Sequence, residues 1–298
     1  MLFRKISIIG MGLLGGSLGL AAKHRGVASH VAAYVRRESA IQEVIDAGAA
    51  DSVSLRLEEV VADAELIILC TPLGQMVDLT RKIVPYLKPG AILTDVGSVK
   101  EAIDREIPPL LDETDAHFVG SHPMAGSEKT GVHAARDFLF ENATCAVCPP
   151  NQLPAEILEK VTSFWKQLGA RVLVMSSSDH DRAVARISHL PHAVASSVAR
   201  LGLDPEGHPL QRELGATGFA DLTRVASGSP EMWRDISMQN QIHLADATDG
   251  LIEVLKQFSD LLRSSDEAGI EDFFKVAKNL RDTWLREAAS RFGAHEKE

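Results

Sequence analysis

The stretch of sequence that decides the fold is Gly10-Met11-Gly12-Leu13-Leu14-Gly15. It follows the apolar run Ile6–Ile9, which predicts a buried strand, and it opens the stretch Leu13–His24, which predicts a helix. The glycines let the backbone turn tightly and approach a pyrophosphate, and the amino end of the helix adds N–H groups and partial positive charge. A glycine turn that binds nothing is the alternative. The strand before the pattern and the helix after it favour a dinucleotide-binding βαβ unit, in which the cofactor-binding residues are Gly10, Gly12, Leu13, Leu14 and Gly15.

Short apolar runs continue to alternate with helical patterns such as Ser39–Ala47, which predicts parallel strands joined by helical crossovers. The further predicted strands are Val31–Val35, Leu66–Cys70, Ala91–Thr94, His117–Val119, Ala143–Val147 and Arg171–Met175. A helix is predicted between the last two, over Leu153–Leu168. The fold class is therefore predicted to be α/β, with a Rossmann-type, doubly wound, mostly parallel sheet that carries its ligand at the carboxyl ends of its strands.

The pattern changes near residue 175, where Ser176-Ser177-Ser178-Asp179 predicts a helix start. Helical periodicity then continues almost to the end, with apolar faces that begin at Leu251 and at Ile270. We therefore predict two domains: residues 1–175, which bind NAD(P), and residues 176–298, an all-helical domain for substrate binding and dimerisation. Because the two apolar faces exceed what one small helical layer buries alone, we expect a homodimer.

The composition of the 298-residue chain excludes several classes of protein. Its net charge of -10 argues against nucleic acid and anionic membranes as partners, since both need a basic surface. No apolar run approaches the roughly 20 residues that a bilayer span requires. Cys145 and Cys148 lack the second cysteine pair that a zinc site needs, and we expect no metal. The three cysteines are too few for a full disulfide framework, so we expect a protein of the reducing cytoplasm.

The residues at the end of the predicted second strand indicate whether the cofactor is NAD or NADP. Val35 stands where an NAD enzyme places an acid that holds the ribose hydroxyls, and Arg36 and Arg37 follow it. Two guanidinium groups suit a 2′-phosphate, so we expect NADP, with NAD as the alternative if both arginines are merely solvated. Another strand ends at Cys70-Thr71-Pro72, which we expect beside the nicotinamide half of the cofactor.

A series of further motifs occurs in order along the chain. They are Gly10–Leu18, Asp95–Lys100, Gly120–Gly126, Ser188–His192, Phe219–Arg224 and Met232–Asp235. The series resembles the prephenate/arogenate dehydrogenase family of tyrosine biosynthesis, from about Ile6 to about Leu285. The resemblance implies oxidative decarboxylation of prephenate to 4-hydroxyphenylpyruvate, or of arogenate to tyrosine. A hydride leaves the ring carbon that bears the hydroxyl, and carbon dioxide leaves from the opposite carbon. We expect prephenate, and arogenate stays open.

The same resemblance implies roles for several side chains. His122 would accept the hydroxyl proton, the alternative being an anchor for the loop before Pro123. Ser98 would hydrogen-bond the hydroxyl, although a helix N-cap is a second use for it. His192 would face the substrate and His189 would support the site, unless both are ordinary buried histidines; their spacing does not fit a zinc protease.

Arg224 would bind a substrate carboxylate, the alternative being an ion pair between helices. Glu128 would gate or polarise the site unless it is a solvated loop acid, and Trp233 and Arg234 would line the site or a dimer contact unless they pack in the core. A β-hydroxyacid dehydrogenase is a less favoured alternative, because the helical part has no lysine in a motif, and a non-catalytic NADP sensor is another. We expect neither a chorismate mutase segment nor a regulatory ACT-type domain, so that any tyrosine feedback acts at the active site.

Overall fold

The computed structural model of the chain describes residues 1–126, 129–208 and 210–292. Contacts between Cα atoms divide it into two compact units, Met1–Leu244 and Ala245–Glu298. No helix within the described ranges is long and apolar enough to cross a bilayer. The predicted domain boundary at residue 175 falls directly after the last strand of the first unit, and it stays a prediction.

The first unit is built on one eight-stranded sheet. Its strands are β1 (Phe3–Ile9), β2 (Ala28–Tyr34), β3 (Ser52–Ser54), β4 (Leu66–Leu69), β5 (Ile92–Asp95), β6 (His117–Pro123), β7 (Thr144–Cys148) and β8 (Arg171–Val174). The order is β3-β2-β1-β4-β5-β6-β7-β8, and all neighbours are parallel except β6 and β7. The reversal of order between β1 and β4 is the topological switch point of a doubly wound sheet, where ligands bind. The predicted α/β, Rossmann-type class is confirmed.

Helices connect the strands and then make up the rest of the chain. They are α1 (Leu13–His24), α2 (Ser39–Asp46), α3 (Leu57–Val61), α4 (Leu73–Ile83), α5 (Glu101–Glu106), α6 (Ala155–Gln167), α7 (Ser177–Val184), α8 (Leu190–Gly202), α9 (Leu210–Glu213), α10 (Thr217–Thr223), α11 (Pro230–Gln239), α12 (Gln241–Ser264) and α13 (Glu267–Phe292). Short 3₁₀ segments cover Val84–Tyr86, Pro108–Leu111, Val132–Ala134 and Arg224–Ser227, and a π turn covers Ala185–His189.

Helices bury both faces of the sheet, and strand residues alternate between two apolar clusters. In β4, Leu66 and Ile68 belong to one cluster, while Ile67 and Leu69 belong to the other. A strand that is buried on both faces has no polar side to present to water. This explains why a short uninterrupted apolar run was enough to predict the strand.

Two strands differ from the sequence-based expectation. β3 was not predicted, because Ser52–Ser54 is a three-residue polar strand at the edge of the sheet, with β2 as its one neighbour. β6 was expected to end at Val119 but continues to Pro123, where it pairs with β7. The polar residues Ser121 and His122 hide this extension in the sequence, and both are buried.

The helical part of the first unit begins as predicted. Ser176 is the N-cap of α7, and its hydroxyl accepts a hydrogen bond of 3.0 Å from the backbone N–H of Asp179. Between α7 and α8 the helix widens into the π turn, because Pro191 has no N–H to donate to the carbonyl four residues earlier. Turns of this kind are frequent at functional sites, and this one ends at His189.

The second unit contains the remainder of α12 and α13. The rings of Phe258, Phe273 and Phe274 cluster with centroid distances of 5.0 to 5.6 Å. Other apolar side chains of the two helices are exposed in the single chain, among them Leu280 at 67% and Trp284 at 59%. An isolated chain therefore presents apolar surface to water along these helices.

Candidate active site

The loop after β1 and the loop after β4 meet at the topological switch point. Gly10 has φ of +104°, and a Cβ atom built on it would lie 2.7 Å from the carbonyl oxygen of Cys70. A Cβ atom on Gly15 would lie 1.9 Å from the carbonyl oxygen of Gly10. Both positions therefore require glycine for the turn itself. Gly12 differs, because a Cβ atom there would meet no described atom within 4 Å.

The open space at Gly12 lies at the amino end of α1. Gly12 is the N-cap of this helix and supplies no side-chain cap, so the N–H groups of the first turn, which includes Leu13, Leu14 and Gly15, are left for a ligand. A pyrophosphate suits such a position, since its oxygens accept from N–H groups and its charge opposes the helix dipole. The residues present therefore fit a dinucleotide cofactor.

The end of β2 carries the predicted cofactor choice. Val35 is buried directly after the strand, and Arg36 and Arg37 are exposed. Neither arginine forms an ion pair with any described residue. The next acid is Glu38, which is exposed at the N-cap of α2. The strand end therefore offers two guanidinium groups before it offers a carboxylate.

The loop after β4 carries Cys70-Thr71-Pro72, and Pro72 is the N-cap of α4. The backbone N–H of Cys70 donates to the carbonyl of Ile9 over 2.8 Å, which holds this loop beside the glycine loop. Burial raises the pKa of the Cys70 thiol, so the group stays protonated at neutral pH. The Thr71 hydroxyl is buried without a hydrogen-bond partner among the described residues, and a bound cofactor is a natural partner for it.

A hydrogen-bonded chain of three side chains leads to His122. Its Nδ1 lies 2.8 Å from Nε2 of His180, and Nδ1 of His180 lies 2.7 Å from a carboxylate oxygen of Asp181. Because a carboxylate accepts only, Nδ1 of His180 donates to Asp181, and in the tautomer with this single ring proton its Nε2 accepts from His122. The remaining nitrogen of His122, Nε2, therefore carries a lone pair. No described residue hydrogen-bonds to it.

Burial is the main reason that the pKa of His122 lies well below its usual value of 6.5. The nearby His180, Lys100 and His189 lower the pKa further, since each carries or would gain positive charge. The ring is therefore neutral at physiological pH. A neutral imidazole with a free Nε2 is a proton acceptor, which is the predicted role of this residue.

Beneath His122 lies a buried ion pair between Asp95 and Lys100, exposed by 0% and 1%. The Lys100 ammonium group also donates to the carbonyl of Ser121 over 2.9 Å. The Asp95 carboxylate accepts from the backbone N–H of Ser121 at 3.0 Å and of Gly97 at 2.8 Å. One ion pair thus holds the residue before His122 and the residue before Ser98.

Ser98 lies in the loop between β5 and α5 and is half-buried. It is not a helix cap, because α5 begins at Glu101 with Lys100 as its N-cap. The N–H groups of Lys100 and Glu101 instead donate to the Asp181 carboxylate over 2.8 and 2.9 Å. This excludes the capping alternative and leaves the Ser98 hydroxyl for another partner.

His189 and His192 lie on the π turn and α8. His189 is buried, its Nδ1 lies 3.1 Å from the amide nitrogen of Asn240, and burial lowers its pKa to about 4. His192 is half-buried, and its ring stacks on Trp233 with centroids 3.8 Å apart. Nδ1 of His192 donates to the carbonyl of Ser188 over 2.9 Å. Of the two histidines, His192 is therefore the one that a ligand reaches more readily.

The remaining predicted residues lie farther out or cannot be placed. Arg224 is exposed, forms no ion pair with a described residue, and belongs to a 3₁₀ segment that packs on α8. Arg234 is exposed and pairs with Asp235 at 2.7 Å. Trp233 is half-buried, and its indole N–H has no hydrogen-bond partner among the described residues. Glu128 lies outside the described residues.

The sequence analysis predicts no individual role for several residues of this network: Asp95, Lys100, His180, Asp181 and Asn240. A faint signal existed for the first pair, because an acid at the end of an apolar strand needs a buried partner. The others carry no local pattern. Cys145 and Cys148 are free and buried in β7, and no group of three His, Cys, Asp or Glu side chains in the described ranges is placed to hold a metal.

Comparison with known proteins gives a consistent result. Residues 18–174 match the family model of the prephenate dehydrogenase nucleotide-binding domain, and residues 176–278 match that of its dimerization domain. The chain is 32% identical over 283 residues to prephenate dehydrogenase of Bacillus subtilis (strain 168), which covers 93% of this chain and 75% of that protein. Prephenate dehydrogenase from A. aeolicus, solved in complex with hydroxyphenyl propionate and NAD+, superposes with a TM-score of 0.88 at 28% identity, covering 94% and 98% of the two chains. Synechocystis arogenate dehydrogenase superposes with 0.82 at 29% identity, covering 94% and 99%.

Proposed function

Because the chain belongs to the prephenate dehydrogenase family, we propose that it oxidises and decarboxylates prephenate to 4-hydroxyphenylpyruvate with a preference for NADP. As a member of this family, the protein is a nicotinamide-dependent oxidoreductase. The observation that carries the proposal for its chemistry is the chain from Asp181 through His180 to His122. These hydrogen bonds leave Nε2 of the buried, neutral His122 imidazole without a proton, and removal of a hydroxyl proton requires such an acceptor.

In the proposed mechanism, Nε2 of His122 accepts the hydroxyl proton while the C–H bond at the same ring carbon breaks. The bound nicotinamide supplies the acceptor for that hydride. Loss of carbon dioxide from the opposite ring carbon then leaves its electron pair in the ring, which becomes aromatic. The oxygen, now carrying the negative charge of a phenolate, takes a proton back from His122. The base is thereby restored and no net proton is released.

Other residues position the substrate in this proposal. Ser98 lies on a loop held by the Asp95–Lys100 ion pair. Its hydroxyl has no hydrogen-bond partner among the described residues and is suited to bind the substrate hydroxyl. Arg224 has no described ion-pair partner, and a guanidinium group matches a carboxylate in shape and charge. His192 stacks on Trp233 and would contact the substrate beside them. Prephenate carries two carboxylates, so more than one donor is needed.

The preference for NADP rests on the end of β2. An NAD-binding enzyme gains from an acid that accepts from the ribose hydroxyls, and a buried valine occupies that place here. Arg36 and Arg37 would instead bind the 2′-phosphate by charge-assisted hydrogen bonds. NAD is the alternative, and the A. aeolicus relative was solved with NAD+.

Arogenate is the second candidate substrate, because the Synechocystis arogenate dehydrogenase covers the chain as fully as the prephenate enzyme does. Arogenate carries an ammonium group where prephenate carries a keto group, and an acid nearby would favour it. The two acids of α11 are Glu231, which is exposed, and Asp235, which is paired with Arg234. The pairing of Asp235 supports prephenate.

We further propose a homodimer formed through the helical part, since the exposed apolar side chains of α12 and α13 need a partner surface. The experiment that tests the proposed activity uses purified enzyme with each substrate and each cofactor, following reduced nicotinamide by absorbance. The highest kcat/KM is expected with prephenate and NADP. If kcat/KM is highest with arogenate, the proposed substrate is wrong. If kcat/KM is highest with NAD, the proposed cofactor preference is wrong.

A further inference from the structure

We propose that Asn240 is a positioning residue that fixes the proton of His189 on Nε2, an inference that rests on the proposed function for its effect on activity. Asn240 lies at the junction of α11 and α12 and is 2% exposed. Its backbone N–H donates to the carbonyl of Ile236 over 3.0 Å, and its carbonyl accepts from Leu244 over 3.0 Å. Backbone bonds on both sides thus fix the place of its side chain.

The orientation of the Asn240 amide is set by a backbone carbonyl. The amide nitrogen donates to the carbonyl of Asp181 over 2.9 Å. A flipped amide would set oxygen against oxygen at this distance, which is repulsive. The nitrogen of the amide, and not its oxygen, therefore also lies 3.1 Å from Nδ1 of His189.

An amide nitrogen can only donate, so Nδ1 of His189 must accept. The proton of the neutral ring is then on Nε2, which is buried without a hydrogen-bond partner of good geometry in the described ranges. The backbone of Ser98 is near enough to raise the pKa of His189 slightly. The charged and titratable groups around the ring are Asp181, which raises its pKa, and His180 and His192, which lower it. Burial dominates, and the ring is neutral at pH 7.

The same Asn240 amide therefore contacts both His189 and the segment that carries His180 and Asp181. Through Asp181 it steadies the chain to His122, whose Nε2 is a proton acceptor. Through its bond to Nδ1 of His189 it leaves the ring N–H donor on Nε2 of that histidine, at the end of the π turn. With the opposite tautomer, the site would hold two acceptors and no donor at these positions. The tautomer that Asn240 fixes is therefore the one that gives the buried network a donor on His189 as well as an acceptor on His122.

The tautomer is measured directly, without substrate, on the full chain labelled with ¹⁵N-histidine. The His189 signals are those lost in His189→Gln. We expect the wild-type spectrum to show His189 with its proton on Nε2 and the Asn240→Asp spectrum to show it on Nδ1, because a carboxylate accepts only. A wild-type His189 with its proton on Nδ1 would overturn the proposal. The wild-type measurement decides the proposal even if the Asn240→Asp variant does not fold.

Kinetics then separate the tautomer from a structural effect. Asn240→Asp should lower kcat/KM about 10- to 100-fold, the range found when the hydrogen-bond partner that orients a metal-bound histidine is removed. It should also change the pH profile, since the carboxylate raises the pKa of His189. Asn240→Leu should lower activity without moving the pH profile.

Gln241→Glu is the control, because it adds the same charge at an exposed neighbour. An unchanged profile and activity within threefold for Asn240→Asp would contradict the proposal. Inactivity of wild type on both substrates would refute the proposed function and leave the tautomer result standing.

Discussion

Nδ1 of His122 lies 2.8 Å from Nε2 of His180, and this contact decides which nitrogen of His122 is free. His180 in turn hydrogen-bonds to Asp181, whose carboxylate also accepts from the first N–H groups of α5. One acid therefore orients the proposed base and closes the end of the helix that follows the Ser98 loop. The two proposed catalytic residues, His122 and Ser98, are thus held relative to each other by buried hydrogen bonds, which are strong because water does not compete.

The Lys100–Asp95 ion pair predicts a large effect on stability. Lys100→Met leaves the Asp95 carboxylate buried without its partner, which should lower the free energy of unfolding by about 3–5 kcal/mol. Urea unfolding at fixed protein concentration measures this. The control is Lys88→Met, which breaks a partly exposed pair with Glu65 and should cost about 1 kcal/mol or less. Equal small losses for both variants would mean that the buried pair is not needed.

The end of β2 predicts a selective loss of cofactor binding. Replacing Arg36 and Arg37 by alanine should weaken NADP binding by about 1.5–3 kcal/mol for each lost contact, while NAD binding changes little. Fluorescence titration with both cofactors measures the two dissociation constants. Arg81→Ala, on the surface of α4, is the matched control. Equal weakening of NAD and NADP would show that the arginines do not read the 2′-phosphate.

Arg224 predicts a defect of another kind. Arg224→Ala removes a proposed carboxylate anchor, so KM for prephenate should rise strongly while kcat changes less, if the anchor binds ground and transition states alike. Steady-state kinetics at saturating cofactor separate the two constants. Arg200→Ala removes an exposed arginine from α8 and should leave both near wild type. A KM that Arg224→Ala leaves unchanged would remove this residue from the substrate site.

The exposed apolar faces of α12 and α13 predict a homodimer at micromolar concentration by light scattering. Leu280→Glu places a charge on that surface and should shift the mass toward the monomer. Ile45→Glu, on an exposed position of α2 that is 50% accessible, should leave the mass unchanged. A monomeric wild type would contradict the proposed dimer.

The sequence predicts best those elements that depend only on residues close together in the chain. The glycine loop and the apolar runs predicted the sheet because each needs only neighbouring residues, as at Gly10 and Leu66–Leu69. The buried polar network could not be predicted in the same way. Lys100 and Asp181 are 81 residues apart, and their contact depends on how α7 meets α5. Asn240 shows no pattern at all, because its role follows from two partners on other segments.

The pH dependence of kcat follows from the burial of His122. The neutral imidazole is the active form, and protonation removes it as pH falls. Because burial places the pKa of His122 well below 6.5, kcat should stay level from pH 7 to pH 6.5 and fall only at lower pH. A fall centred at or above pH 6.5 would contradict the assignment of the buried His122 as the group whose protonation stops the reaction.

The measurement that tests the proposed mechanism most directly is kcat of His122→Asn with prephenate and NADP. Asparagine keeps a hydrogen bond but cannot take up the proton, and general base catalysis typically contributes about 10²–10⁴-fold. We expect kcat to fall by that order, with NADP affinity unchanged and a circular dichroism spectrum equal to that of wild type. A folded variant that keeps kcat within about threefold, far short of the general-base range, would contradict the assignment of His122 as the base.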